Sequence, residues 1–472
     1  MAFQSNSNNA WIFNGNNGNL NNGNNRINTN YARVFRDSYI RNCERFEDAV
    51  VALSELYFFY FDNRKNKRRS VSQLLFEQNY QQNLRDMWSA INRSEYQLKP
   101  GIGFILHWPQ TREVIAPDYF DRTPQCYFCE TIRPGIEKRL DPNSYSCRVG
   151  YGSIKAVQRL AQYVRLESEF GKKPCVFRKT DQKSFFLHIH RPTLVDELNA
   201  VICEDFADDA RKDVLLYLCR ILYTSDTISH VVRQCPAAEW SALPKHKSRF
   251  NLSPDEGVDI GNLTAQLGGN FTSRKYLRVF RDYGFDLFVH YTDDVVSVMR
   301  TEKSRQFSEI FLPHLRQAEA EMRLELNEKK HYCQDIHKGV SLFGFFMKMT
   351  TDGTVLILPS KRVVHNLHNK LRVYMLRGTG NKLYRLHNKE RFRDCLNSYF
   401  GIFKHCNAYR LRRKLARFVM ASDWSDIIEV KPDFRHFGIR RNYTKKAYLI
   451  HRNKQFKHLI LHYHDTAENQ CA

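Results

Sequence analysis

The chain has 472 residues, 42% of them hydrophobic and 26% charged, which excludes a disordered chain and supplies core for about two to four domains. Its 73 Lys+Arg against 50 Asp+Glu give +23 at pH 7, and the excess is uneven: residues 361–472 hold 25 basic and 8 acidic side chains. Solvated basic faces usually carry matching Glu, so this asymmetry points to a polyanion, nucleic acid above all, lying mainly against the C-terminal part. No uncharged apolar run reaches the roughly 18–20 residues that span a bilayer, and no basic segment followed by an apolar stretch opens the chain, so neither a membrane partner nor a signal peptide is expected. The 12 cysteines are scattered and several sit in apolar runs, as expected of reduced thiols in a cytoplasmic protein. Cys126 and Cys129 form a lone CxxC without a second pair, and His188 with His190 an equally weak HxH.

Taken in chain order, residues 1–30 contain 13 Asn and 3 Gly with Arg26 as the single charge, the composition of a flexible polar tract. Apolar residues at helical spacing predict helices over 31–62 and 71–92, separated by the basic run Arg64–Arg69 as a loop. Residues 101–117 read as a β-hairpin turning at Pro109-Gln110-Thr111. Helices are expected over 120–140 and 153–170, then a strand over 174–180 ending at Asp181. Further helices are expected over 194–203, 207–223, 262–281 and 304–324. Residues 285–299 are two apolar strand-like runs interrupted by Thr292-Asp293-Asp294. Residues 340–347 and 354–358 read as strands, and from Lys361 the chain is basic and mostly helical. Segregated strands and helices of this kind predict an α+β fold with a helical basic end.

The chemistry lies in the carboxylates. Asp293 and Asp294 sit at the tip of a hairpin whose flanks, Leu287–Tyr291 and Val295–Met299, are apolar enough to be central strands. Asp favours turns for ordinary reasons, but two carboxylates at the tip of a buried hairpin suit a divalent cation. Asp181 ends another apolar strand. If the strands are neighbours, three carboxylates converge and can hold two Mg²⁺ ions roughly 3.5–4 Å apart, the separation used for in-line phosphoryl transfer.

At this point the motifs resemble those of reverse transcriptases. Tyr291-Thr-Asp-Asp294 is similar to the YxDD hairpin, and Asp181-Gln-Lys-Ser-Phe-Phe186 to the first catalytic motif with its aromatic gate. Gly257–Gln266 resembles the loop and helix under the templating pair. Leu326-Asn-Glu-Lys-Lys330 and Lys338–Gly344 resemble the lysine motif and the primer grip. Arg112–Pro117, Phe120-Asp-Arg122 and Asn143–Gly152 resemble the fingers. Ile260-Gly-Asn-Leu-Thr-Ala-Gln266, the KGVxxxG at Lys338, and Asn397-Ser-Tyr-Phe-Gly401 with the basic residues after it are similar to the reverse transcriptases of diversity-generating retroelements, within the group II intron-like bacterial superfamily.

The resemblance implies a right hand: fingers within 31–170, palm within 171–358, and a basic helical thumb and tail over 359–472. It implies RNA-directed DNA synthesis that copies a template-repeat RNA into cDNA, with errors at adenines, for mutagenic retrohoming into a target gene. Template RNA, primer or cDNA, dNTPs and a small basic helical accessory protein are the implied partners, in a bacterial, archaeal or phage-encoded cytoplasmic system. Asp181, Asp293 and Asp294 would hold two Mg²⁺, with Mn²⁺ as a substitute. Lys330 or its neighbour Lys329 would act as general acid. Arg112 would clamp the triphosphate and Phe186 would exclude ribonucleotides. Gln266 and Asn270, one helical turn apart, would face the nascent pair. Lys361, Arg362, Lys370, Arg372, Arg410, Arg412, Arg413 and Lys414 would track the nucleic-acid backbone.

Two departures from the family's pattern stand out. Ala265 replaces a Ser beside the pair-reading position, which is expected to alter the error spectrum, and Leu342-Phe343-Gly344 inverts a Phe-Leu-Gly. The Asn-rich start is similar to the adenine-rich segments such elements diversify, because randomising the adenines of an Asn codon never yields a stop. The alternatives are a defence-associated or group II intron-type reverse transcriptase, and an inactive polymerase-like RNA-binding module.

Overall fold

The computed structural model describes residues 12–14, 19–21, 49–65, 70–107 and 111–444. Most of the Asn-rich start, the first part of the helix expected over 31–62, the run 66–69 and the tip of the 101–117 hairpin lie outside these residues. Within the Asn-rich start, Ile12–Asn14 and Asn19–Asn21 pair antiparallel.

The N-terminal part is helical. Leu53–Arg64 (α1), Val71–Gln78 (α2) and Tyr80–Asn92 (α3) pack on Tyr119–Arg139 (α4) through Leu56, Tyr60, Phe76, Leu84, Tyr127 and Phe128. The single helix expected over 71–92 breaks at Asn79, whose φ of −130° and ψ of 36° leave the helical region. The Asn83 side chain donates to the Phe76 carbonyl, 3.0 Å away, and so satisfies an acceptor near the break. Between α3 and α4 the expected hairpin is present: Ile102–Leu106 (β1) pairs antiparallel with Arg112–Ala116 (β2).

Ser153–Glu167 (α5) precedes the central strand, Cys175–Asp181 (β3). Arg191–Asp205 (α6) and Lys212–Thr224 (α7) complete the N-terminal apolar cluster, and Val232–Arg233 (β4) adds in parallel to β1. Leu263–Asp282 (α8) leads to the hairpin Phe288–Tyr291 (β5) and Asp294–Arg300 (β6). Lys303–Gln306, a π turn at Phe307–Phe311 and Leu312–Glu321 then follow without a break as one helix (α9). Tyr332–Asp335 (β7), half-exposed and without an apolar run, is a strand that periodicity did not predict.

These strands form one antiparallel sheet in the order β5-β6-β3-β7. Side chains alternate across β3. Val176, Arg178 and Thr180 face α8 and α9: Val176 packs among Phe280, Phe288, Phe307 and Phe311, and Thr180 bonds the Tyr276 hydroxyl at 2.8 Å. Phe177 packs on the opposite face against α5, through Leu160 and Val164. Lys179 and Asp181 share that second face, at the end of the strand. The sheet thus has one helical layer behind it and a helix over only part of its front.

The strand expected over 340–347 is a hairpin: Val340–Leu342 (β8) and Phe345–Met349 (β9), with Val355–Pro359 (β10) beside β9. Phe343 (φ 50°) and Gly344 (φ 90°) both take positive φ, the signature of a two-residue type I′ turn. An apolar run hid it, because Phe is not a residue that announces such a turn. Lys361–Gly378 (α10), Lys382–Phe403 (α11) and Tyr409–Met420 (α12) then surround Phe392, Phe400 and Trp424. The C-terminal part is not wholly helical: Ile428–Val430 (β11) and Phe437–Ile439 (β12) close it as a hairpin. Among the described residues no helix is long and apolar enough to cross a membrane.

Candidate active site

β5 and β6 pair Tyr291 with Asp294, leaving Thr292 and Asp293 as a two-residue turn. Thr292 has φ 63°, an unfavourable conformation for a β-branched residue, of a kind that persists only where the surroundings hold it. They do so here. The Thr292 N–H donates to Ser146 Oγ at 3.1 Å, and the Thr292 carbonyl lies 2.8 Å from His290 Nε2. His290 is buried, and burial pushes its pKa down to about 4, so the ring is neutral and has one N–H. A carbonyl only accepts, so that N–H is on Nε2 and Nδ1 accepts from Ser144 Oγ, 2.9 Å away. Ser144 and Tyr145 also pair along the backbone of β5, with Tyr145 N donating to His290 O at 2.9 Å.

Asp181 and Asp294 are direct cross-strand partners, and Asp293 follows from the turn. Ligand oxygens of the three carboxylates all lie within 4.8 Å of one another. Burial, then the charges of Asp294 and Asp181, push Asp293 up to about 6, and burial raises Asp181 as well. Three carboxylates crowded in this way, two of them raised, could hold a cation, and their all-oxygen donor set suits a hard ion such as Mg²⁺ or Mn²⁺. The side chains around them answer the same charge. Lys330 Nζ and Asn327 Nδ2 each donate to Asp181 from 2.8 Å, and Lys179 Nζ lies 3.0 Å from Asp294. Burial works against the Lys330 ammonium, but its bond to Asp181 and the neighbouring carboxylates hold its pKa above the usual lysine value. Of the Lys329–Lys330 pair, Lys330 is the one that reaches Asp181.

Phe186 is half-buried beside Phe185, and its ring lies so close to Gly269 of α8 that a Cβ there would stand 2.8 Å from Phe186 Cε1. Gln266 is exposed on α8. Asn270, one turn on, is buried, and its amide is engaged with Ser146: it accepts from Ser146 Oγ at 2.6 Å and donates to Ser146 O at 2.5 Å. Ala265 is buried in the N-terminal cluster. Arg112 is exposed at the start of β2, whose next residue, Glu113, is buried and accepts from Ser248 and Arg249. The Cys126 and Cys129 thiols are buried in α4, and burial pushes Cys126 up to about 12. Among the described residues the aspartate triad is the one cluster of three or more potential metal ligands.

In the C-terminal part Lys361, Arg362, Lys370, Arg372, Arg410, Arg413 and Lys414 are exposed. Arg412 is not: it points inward and donates to the carbonyls of Asp433 and Phe434 at 3.4 and 3.2 Å. Arg417, which the sequence reading did not single out, is exposed instead. Residues 410, 413, 414 and 417 fall at i, i+3, i+4 and i+7, one exposed face of α12 on which, among the described residues, no ion pair forms. Sequence reading also missed Lys179, Ser144, Ser146 and His290. A lysine two residues before Asp181 carried a usable signal, since alternate strand residues share a face, and His290 lies in the Asp293–Asp294 hairpin itself, but Ser144 and Ser146 are brought in from a distant segment.

No protein-family model matches the chain, and no curated protein does. Among solved structures it is similar to telomerase from Candida albicans in complex with a fragment of telomeric RNA, at 14% identity and a TM-score of 0.39 over 71% of this chain and 61% of that one. It is also similar to apo telomerase from Candida tropicalis, at 10% identity and a TM-score of 0.41 over 72% and 63%. The chain thus spans about three fifths of the length of these telomerases, and both superpositions are loose.

Proposed function

We propose that the chain is an RNA-directed DNA polymerase with a two-metal mechanism, built as a right hand with fingers within 31–170, palm within 171–358 and a basic thumb over 359–472. The observation that carries this reading is the convergence of Asp181, Asp293 and Asp294, two of them cross-strand partners and the third on a strained turn. Two divalent cations held by these carboxylates would polarise the primer 3′-hydroxyl and the triphosphate. Asp181 and Asp293 are the principal ligands and Asp294, balanced by Lys179, supports them. The Lys330 ammonium, next to Asp181, is placed to protonate the leaving pyrophosphate. Phe186, braced by Gly269, meets the sugar; Gln266 faces the nascent pair; Arg112 takes the triphosphate. The exposed basic residues of α10 and α12 bind the template–primer backbone.

The motif set supports the finer reading, a diversity-generating reverse transcriptase that copies template-repeat RNA with errors at adenines, alongside a small basic accessory protein. Primer extension by the purified chain on an RNA template with dNTPs and Mg²⁺, with and without that protein, tests the enzyme. The Asp293→Ala, Asp294→Ala double variant is the control and should leave no product. Sequencing the cDNA tests the finer reading: errors concentrated opposite adenine support it and a uniform spectrum overturns it. RNA binding without extension under either condition favours the inactive RNA-binding module.

A further inference from the structure

The strained Thr292 turn requires a holder, and three of the four residues that hold it, Ser144, Ser146 and Asn270, come from elsewhere in the chain. Ser146 Oγ takes the Thr292 N–H and gives its own proton to Asn270 Oδ1, while Asn270 Nδ2 closes the pair on the Ser146 carbonyl. Ser146 and Asn270 are both buried, so no water competes for these bonds. On the other side of the turn His290 and Ser144 hold the Thr292 carbonyl. Both backbone groups of Thr292 are therefore fixed by side chains outside the turn, and the residue so fixed is the one that precedes Asp293.

We infer that Ser146 and Asn270 form a positioning clamp that sets the catalytic turn, so that Asn270 acts on the metal ligands through Ser146 rather than by contact with the nucleotide. The clamp also joins α8 to the metal site. Gln266 lies one turn before Asn270, so a displacement of α8 by a poorly seated base pair is transmitted through Asn270 and Ser146 to Asp293. Incorporation opposite a distorted pair is then slowed at the metal site and not only at nucleotide binding. This role deepens the polymerase reading, but its first test does not depend on it.

The test is Mn²⁺ affinity of the full-length chain, read by electron paramagnetic resonance, beside its melting temperature. Ser146→Ala is expected to weaken Mn²⁺ binding by about tenfold or more with little change in melting, since residues that orient metal ligands typically carry such factors. Ser146→Thr, which keeps the hydroxyl, is expected to restore it. Asn270→Ala is expected to show the same loss, and in primer extension to lower kcat with the KM for dNTP unchanged. Parental Mn²⁺ affinity in folded Ser146→Ala overturns the clamp, as does Asn270→Ala that raises the dNTP KM without a metal effect. If Ser146→Ala does not fold, Asn270→Asp carries the same test, because it keeps the volume and sets a carboxylate against the Ser146 carbonyl. A clamp effect on Mn²⁺ in a chain that never extends a primer overturns the polymerase reading and leaves the clamp standing.

Discussion

Asp293 shows how far a single side chain departs from its ordinary chemistry at this site. Its pKa in the folded chain, about 6, lies above the unfolded value, so the folded state takes up the proton first. The contribution of Asp293 to the stability of the metal-free chain is therefore complete below about pH 4 and is lost as pH rises to about 6, a change of at most about 3 kcal/mol. Asp293→Asn should abolish that fall: melts in EDTA at pH 5 and pH 7 will coincide more closely for the variant than for the parent, and above pH 6 the variant will be the more stable. Added Mg²⁺ should stabilise the parent alone. The ordering is the reverse of what a structural turn aspartate would give, because a turn aspartate is stabilised by its charge.

Among the elements, α8 and the β8–β9 hairpin set the shape of the site. The absence of a side chain at Gly269 lets the Phe186 ring approach the helix closely. Gly→Ala inside a helix normally stabilises by up to about 1 kcal/mol, but here a Cβ 2.8 Å from the ring forces Phe186 away. Gly269→Ala is therefore expected to lower the melting temperature, by about 1–3 kcal/mol of stability, and to relax discrimination against ribonucleotides in single-nucleotide incorporation. In the type I′ turn of β8–β9, Phe343 adopts a φ that favours Asn or Gly, and its ring packs 5.1 Å from that of Tyr291 in the Asp293–Asp294 hairpin. The inverted Leu-Phe-Gly thus puts an aromatic ring where it touches Tyr291.

At the scale of the molecule, few polar bonds among the described residues tie the C-terminal helices to the rest of the chain. Asn407 pairs with the edge of β10 at two points: its N–H donates to Ile357 O at 2.7 Å and its side-chain oxygen accepts from Ile357 N at 2.9 Å. Asn407→Ala keeps the first bond and removes the second, a destabilisation of about 0.5–1.5 kcal/mol in denaturant melts, and should shorten the products of primer extension more than it slows single incorporation. The basic face of α12 makes a separate claim. Arg413→Gln with Lys414→Gln should weaken nucleic-acid binding on every template sequence and reduce the log–log salt slope by about 0.7–0.9 for each phosphate that is no longer neutralised. An unchanged slope would remove α12 from the interface. The charge asymmetry between the two parts of the chain has the same origin: the front of the central sheet gathers carboxylates, while α12 exposes a row of cations that forms no ion pair among the described residues.

The sequence by itself determined the mixed fold, the order of its main elements, the hairpin bearing Asp293 and Asp294, and Asp181 at the end of a strand. Those follow from local patterns: period-2 and period-3.6 apolar spacing, turn residues, and acidic side chains between apolar runs. It misjudged features that hinge on one residue's backbone, the break at Asn79 and the turn at Phe343, because neither interrupts the apolar pattern. It did not reveal β7, which is half-exposed, or β11 and β12, which are three residues each and too short to show a period. The tertiary structure alone decided that Asp181 stands opposite Asp294, that Lys330 rather than Lys329 reaches Asp181, that Arg412 turns inward, and that Ser144, Ser146 and Asn270 hold the Thr292–Asp293 turn. Each depends on residues far apart in the chain. Register and helix rotation fix such pairings through packing across the whole sheet, and no local pattern carries that information.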